Sequence, residues 1–203
     1  MLIATPHGDA RVHRDLPAAP ISLLVLGHGA GGGVDAPDLT AVTTTALAAG
    51  VAVVRVEQPY RVAGRRAPAP ATHLDQVWVA VVEALRTEKV LGRLPLVAAG
   101  RSSGARVACR TAAAVGASAV VALAFPLHPP GRPERSRLAE LDAVAVPTLV
   151  VQGDRDPFGM PPVAPSRTLR VVGDNHSLRL ATGQVAEATV DWLSELGFAR
   201  CPG

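Results

Sequence analysis

Short runs of branched or small apolar residues recur along the chain, each closed by glycine or a polar turn. Ile21–Leu26, Val51–Val56, Leu94–Ala99, Ala119–Ala124, Val146–Gln152 and Thr168–Val172 each read as a strand. Unbroken apolar character, without alternation, is the pattern of strands buried on both faces of a parallel sheet. The stretches between them predict helices. One spans Pro37–Ala49, with Asp35 and Asp38 at its positive end and Gly50 as its stop. Another is opened by a capping box of Thr72 and Asp75 and puts Leu74, Val77, Trp78, Val81 and Leu85 on one face. Further helices are expected over Ala105–Val115, over Arg135–Leu141 and over Gly183–Leu196, the last burying Val185, Thr189, Trp192, Leu193 and Leu196 before Gly197 ends it. The first twenty residues predict a small hairpin of Leu2–Ala4 with Ala10–His13, and Gln58–Ala71 reads as a loop rich in proline and arginine.

Strands alternating with helices at this rhythm give an α/β fold: a mostly parallel central sheet with helices on both faces. No internal repeat or compositional boundary divides residues 1–203, so a single domain is expected. Hydrophobic residues make up 48% but aromatics only 3%, so Val, Leu and Ala must fill the core. The net charge of +3 is scattered, without the basic run or interleaved aromatics of a nucleic-acid binder. Cys109 and Cys201 form no disulfide framework. No signal peptide or membrane-spanning run is apparent, which makes the cytoplasm the expected compartment, with no membrane partner.

Gly100-Arg101-Ser102-Ser103-Gly104 reads G-x-S-x-G between an apolar strand and a predicted helix. That is the context of a nucleophile elbow, where a Cβ on either glycine would crowd strand against helix. A serine hydroxyl needs a base, commonly a histidine held by a carboxylate. Of the six histidines, only His176 follows the strand expected to supply the acid, and it lies directly after the last strand. After Val146–Gln152 the chain reads Gly153-Asp154-Arg155-Asp156-Pro157. Asp156 is the favoured acid, being far enough past the glycine to reach the next loop, with Asp154 as the alternative. Donors for a developing oxyanion are expected from the Ser103 backbone N–H and from the loop Gly27-His28-Gly29-Ala30-Gly31-Gly32-Gly33, at Ala30 with Gly31 next in line.

Taken together, Gly27–Gly32, Gly100–Gly104, Gly153–Gly159 and Asp174-Asn175-His176-Ser177 resemble the α/β-hydrolase superfamily. Within it they look like the dienelactone-hydrolase-related branch that contains testis-expressed hydrolase-like proteins and a subunit of the nonspecific-lethal chromatin complex. The resemblance spans positions 27 to 177 and implies Ser102, Asp156 and His176 as a catalytic triad. Dienelactone hydrolases carry cysteine at the position of Ser102, a departure that bears on lactone specificity.

The expected activity is therefore a serine hydrolase cleaving carboxylic esters, thioesters or similar acyl groups, without cofactor or metal. Its partner would be a small acyl substrate, and the chain would work as a monomer or homodimer. A second reading, suggested by the chromatin-complex relative, is a non-catalytic interaction scaffold on the same fold. A third takes Gly27-x-Gly29-x-x-Gly32 with Glu57 as a dinucleotide fingerprint. Its last glycine stands too far from the helix at Pro37 for a pyrophosphate to meet the helix N-terminus. Tyr60 and Arg61 after the second buried strand, and His128 after Ala124, are candidate substrate-binding residues. His28 is expected to orient the oxyanion loop, and Arg101 to stand at the bend or in a packing salt bridge. About twenty residues separate Ala124 from Val146, too few for a cap domain, so an open, shallow site is expected.

Overall fold

In the computed structural model, which describes residues 1–201, eight strands form one sheet. In chain order they are β1 (Leu2–Ile3), β2 (Ala10–Asp15), β3 (Ser22–Gly27), β4 (Val51–Glu57), β5 (Leu96–Arg101), β6 (Ala119–Leu123), β7 (Thr148–Gly153) and β8 (Arg167–Val172). Across the sheet they run β1-β2-β4-β3-β5-β6-β7-β8. The terminal hairpin β1–β2 lies antiparallel on one edge, with Leu2 opposite Arg11 and Ile3 opposite Ala10. Every pairing from β4 to β8 is parallel. The central strands β3, β6 and β7 are buried at every position, which is why their sequences do not alternate.

Among the described residues six α-helices accompany the sheet: α1 (Pro37–Ala48), α2 (Pro59–Val62), α3 (Ala71–Arg86), α4 (Ser103–Thr111), α5 (Leu138–Asp142) and α6 (Thr182–Glu195). One core joins α3, α4 and α5 to residues such as Leu23, Val25, Ala98 and Val120. The other joins α1 and α6 to the alternate residues Leu24, Leu26, Val97 and Val121. The period of two along each strand thus sends neighbouring residues to opposite cores. Helices lie on both faces, as the sequence pattern requires.

Several local expectations are corrected. α3 starts at Ala71, behind Pro70 in extended conformation, and no side chain caps it. Thr72 therefore sits inside the first turn, and the Asp75 carboxylate takes the Arg110 guanidinium at 2.6 and 2.8 Å. A two-pronged charged pair outcompetes a capping box, whose bonds are weaker singly. The loop Gln58–Ala71 contains the one-turn helix α2, and α4 runs earlier than expected, stopping at Thr111 before Gly116 turns at φ 63°. Leu196 is only partly buried. Among the described residues, no helix is long and apolar enough to cross a membrane. Burial pushes the Cys109 thiol up to about 12, a state without thiolate reactivity.

Parallel strands place all their carboxyl ends on one edge of the sheet. The loops after β3, β4, β5, β6, β7 and β8 therefore open together. Between β6 and β7 the chain makes only a 3₁₀ turn at Pro133–Arg135 and the five-residue α5, so nothing the size of a cap stands over that edge.

Candidate functional site

Ser102 lies between the end of β5 and the start of α4 with φ 53° and ψ −110°, a backbone conformation that side chains rarely adopt. Holding it costs of order 1–3 kcal/mol, and the surroundings enforce it. The Ser102 N–H donates to the Leu123 carbonyl at 2.8 Å, and its own carbonyl starts α4 through the Arg106 N–H. The flanking glycines have the reason that the pattern suggested. A Cβ on Gly100 would stand 2.5 Å from the Gly104 carbonyl oxygen, and one on Gly104 would stand 2.6 Å from the Gly27 carbonyl carbon. Both obstacles are backbone, so neither moves aside. Gly104→Ala is expected to destabilise the fold by about 3 kcal/mol, read as a lowered urea midpoint with an unchanged slope.

Two loops bring the partners of the serine. Ser102 Oγ is 2.8 Å from His176 Nε2, and His176 Nδ1 is 2.8 Å from Asp156 Oδ2. Asp156 is the carboxylate that reaches the imidazole. Asp154 is half exposed and faces Arg155 at 3.4 Å, without a bond to the histidine. The Asp156 side chain is 1% exposed, and its oxygens are filled by the His176 ring, by Gln152 Nε2 at 2.8 Å and by the Phe158 N–H at 2.9 Å. These bonds fix the carboxylate, which in turn fixes the ring with Nδ1 protonated and Nε2 free to accept from the serine. Phe158 covers the imidazole with ring centroids 4.1 Å apart.

Gln152 and Asp174 are supporting residues to which the sequence reading gave no role. Gln152, fully buried at the end of β7, also has Nε2 within 3.2 Å of the Phe125 carbonyl and 3.0 Å of the Gly159 carbonyl, so its two amide hydrogens are shared among three acceptors. Its signal was present: a polar amide closing an otherwise apolar strand. Asp174 ties the histidine loop by accepting from the backbone N–H groups of Asn175, Leu180 and Ala181 at 2.7, 2.7 and 3.1 Å. Burial alone would raise its carboxyl, and these three donors bring it below its usual range.

The glycine-rich loop after β3 comes against the elbow, since a Cβ on Gly29 would lie 3.5 Å from that of Ser102. Its backbone directions are set by two side chains. His28 is 4% exposed; its Nε2 accepts from the Gln58 N–H at 3.2 Å, so Nδ1 carries the proton and donates to the Gly29 carbonyl at 2.8 Å. The Tyr60 hydroxyl donates to the Ala30 carbonyl at 3.2 Å. In a planar trans peptide the next N–H points opposite to the carbonyl. His28 therefore directs the Ala30 N–H, and Tyr60 the Gly31 N–H. Those two and the Ser103 N–H, first in α4, have no acceptor among the described residues.

Burial pushes the His28 imidazole below its ordinary 6.5, with the Arg61 charge acting in the same direction. A group with a depressed folded value resists the proton that the unfolded chain accepts. Its stabilising contribution is therefore present above 6.5 and is lost as pH falls below that. Thermal unfolding of the wild type should consequently drop more steeply below that pH than unfolding of His28→Gln, which has no ring to protonate. Parallel curves would remove His28 as the cause.

The candidate substrate-binding residues are dispersed. The Tyr60 ring is buried and lines a cavity of about 410 Å³ between α2, α3 and the first hairpin, whose lining includes neither Ser102 nor His176. Arg61 is half buried on α2. His128 braces the acid loop: its N–H donates to the Phe158 carbonyl at 2.9 Å, and its ring fills the space where Gly159 lacks a side chain. Glu57, the acid of the dinucleotide reading, is taken by Arg11 at 3.1 Å. A second cavity, of about 400 Å³, is lined by Gly31, Gly32, Asp38, Arg101, Ser177 and Arg179, among others; its lining, too, includes neither Ser102 nor His176. No cluster of three or more metal-ligating side chains occurs among the described residues.

A family model described as "Alpha/beta hydrolase domain" matches residues 20–181. No curated protein matches the sequence. Among solved structures, an α/β serine hydrolase without lid from Xanthomonas campestris superposes with a TM-score of 0.78 at 21% identity, over 97% of this chain and 93% of its own. A dienelactone hydrolase from Anabaena variabilis gives 0.77 at 18% identity, over 96% and 95%. An α/β serine hydrolase homologue from Coxiella burnetii gives 0.76 at 18% identity, over 95% and 96%. At these identities the likeness is one of fold.

Proposed function

This chain belongs to the alpha/beta hydrolase family, and from that premise we propose that it is a serine hydrolase acting on carboxylic esters, thioesters or similar acyl groups. The observation that carries the proposal is the pair of 2.8 Å contacts linking Ser102 Oγ, the two nitrogens of His176 and Asp156 Oδ2. In this reading His176 Nε2 takes the Ser102 proton as Oγ attacks the acyl carbon. The imidazolium, held against Asp156, then delivers that proton to the departing alcohol or thiol, leaving an acyl-Ser102 ester. Water enters with His176 again as base, and the carboxylic acid leaves with the serine restored. The Ser103 and Ala30 N–H groups, with Gly31 beside them, would receive the oxyanion, and each such donor contributes about 2.7–4 kcal/mol in related chemistry. This chemistry draws on no cofactor.

The uncapped edge favours small acyl groups over long chains. A fluorophosphonate probe tests the assignment, because it phosphonylates only a serine that an adjacent base has activated. The expected result is one labelled peptide, carrying the adduct on Ser102, together with hydrolysis of short neutral p-nitrophenyl esters. An unlabelled wild-type protein would sink the enzyme assignment in favour of an interaction scaffold. The assignment takes the substrate to be a small molecule and the working protein to be a monomer or homodimer.

A further inference from the structure

Arg101, the last residue of β5, stands between three parts of the site. Its Nη2 donates to the His176 carbonyl at 3.1 Å, and its Nε lies 3.4 Å from Asp38 Oδ2. Its Nη1 occupies the room left by Gly29, where a Cβ would come within 2.9 Å of it. The guanidinium thus passes beneath the glycine-rich loop and joins the histidine loop to the first turn of α1. We propose that Arg101 is a positioning residue, which holds the His176 backbone so that the imidazole stands over Ser102 Oγ. The inference rests on the serine-hydrolase reading above and adds a residue to it.

Two observations separate this role from ordinary packing. The hydrogen bond from Arg101 is the only one that the His176 main chain makes among the described residues, since its N–H donates to nothing and its carbonyl accepts nothing else. Asp174 ties the loop on either side, at residues 175, 180 and 181, and leaves the histidine itself free. The second is Asp38, whose side chain is 1% exposed and whose carboxylate accepts no side-chain hydrogen bond; the N–H groups of Asp38 and Leu39 and the charges of Arg101 and Arg179 are what oppose its burial. A carboxylate so placed is costly to leave without a cation beside it. Burial pushes the Asp38 carboxyl upward, and Arg101 is the largest influence drawing it back. Asp38 therefore anchors the guanidinium from below while the other prong reaches the histidine carbonyl.

Lysine offers a point charge without a planar fork. It answers Asp38 but does not also hold the His176 carbonyl in the same geometry. Arg101→Lys is accordingly expected to keep the wild-type melting behaviour while kcat falls about tenfold to a hundredfold, the loss that about 1 Å of misplacement produces. KM should stay within about twofold, equally for p-nitrophenyl acetate and for an ester carrying a carboxylate on its acyl chain. The rate of fluorophosphonate labelling at Ser102 should fall by the same factor as kcat. Arg101→Gln should lose both stability and kcat, and Arg101→Met with Asp38→Asn should regain stability but not kcat.

Unchanged kcat and labelling in Arg101→Lys would overturn the proposal. So would a loss confined to KM for the anionic ester, which would make Arg101 a substrate contact in the cavity it lines. Failure of all the variants to fold would leave it a stability residue and overturn the proposal likewise. A wild-type protein that is not labelled at all contradicts the hydrolase reading, whereas labelling of wild type and variants at one rate contradicts only this inference.

Discussion

Ser102→Ala is expected to lower kcat for ester hydrolysis by about 10⁶-fold, the size of effect that follows removal of the serine from a hydrogen-bonded serine–histidine–aspartate set. The physical reason is that, among the described residues, His176 Nε2 makes its side-chain hydrogen bond to Ser102. Ser102 Oγ is the atom held 2.8 Å from the ring nitrogen that receives its proton, and alanine leaves His176 with only water to activate. The elbow itself should survive, because the main-chain bonds that define it, from Ser102 N–H to Leu123 and from Arg106 N–H to Ser102, do not involve the hydroxyl. Melting temperature and circular dichroism should therefore match the wild type while fluorophosphonate labelling disappears. Equal labelling of the variant would move the nucleophile elsewhere.

Asp156→Asn should cost about 10⁴-fold in kcat while leaving the fold in place. Both oxygens of this carboxylate receive donors: the His176 ring and Gln152 on Oδ2, and the Phe158 N–H on Oδ1. An asparagine that keeps its oxygen toward Phe158 turns its amide hydrogens toward His176 Nδ1. The ring then settles with its proton on Nε2, where it no longer accepts from Ser102. Asp154→Asn, two residues earlier on the same turn but half exposed and paired only with Arg155, should keep kcat within about twofold of wild type. The contrast between two neighbouring aspartates is a sharper check than either alone. A shared loss would mean that the loop, and not the carboxylate, was being read.

Much of the site was legible because its residues fall at the carboxyl ends of successive parallel strands. Ser102 follows β5, Asp156 follows β7 and His176 follows β8. Buried strands announce themselves by composition, and the residues just after them are then confined to one edge of the sheet. The elbow glycines were legible for a related reason: their role depends on backbone crowding within a few residues and across to β3. The capping box at Thr72 was misread because its local pattern ignored Arg110, which comes from α4 to claim Asp75. Tyr60 was a candidate for the pocket by its position after a strand; what no local pattern carried is that its hydroxyl is bonded to the Ala30 carbonyl.

The sequence by itself determined the α/β architecture, the helices on both faces, the short β6–β7 connection and the order of the candidate serine, aspartate and histidine along the chain. Those follow from hydrophobic period and chain length between elements, which are one-dimensional information, combined with the general right-handedness of parallel connections. Only the tertiary structure brought Asp156, and not Asp154, to the His176 ring, gave His28 its tautomer, and showed what Gln152, Asp174 and the Asp38–Arg101–His176 connection hold together. Arg101 and His176 are 75 positions apart, and their contact exists because β5 and α1 meet the loop after β8 at one edge. Polar contacts of that kind depend on side-chain directions fixed by packing to within an ångström, and no pattern along the chain encodes them.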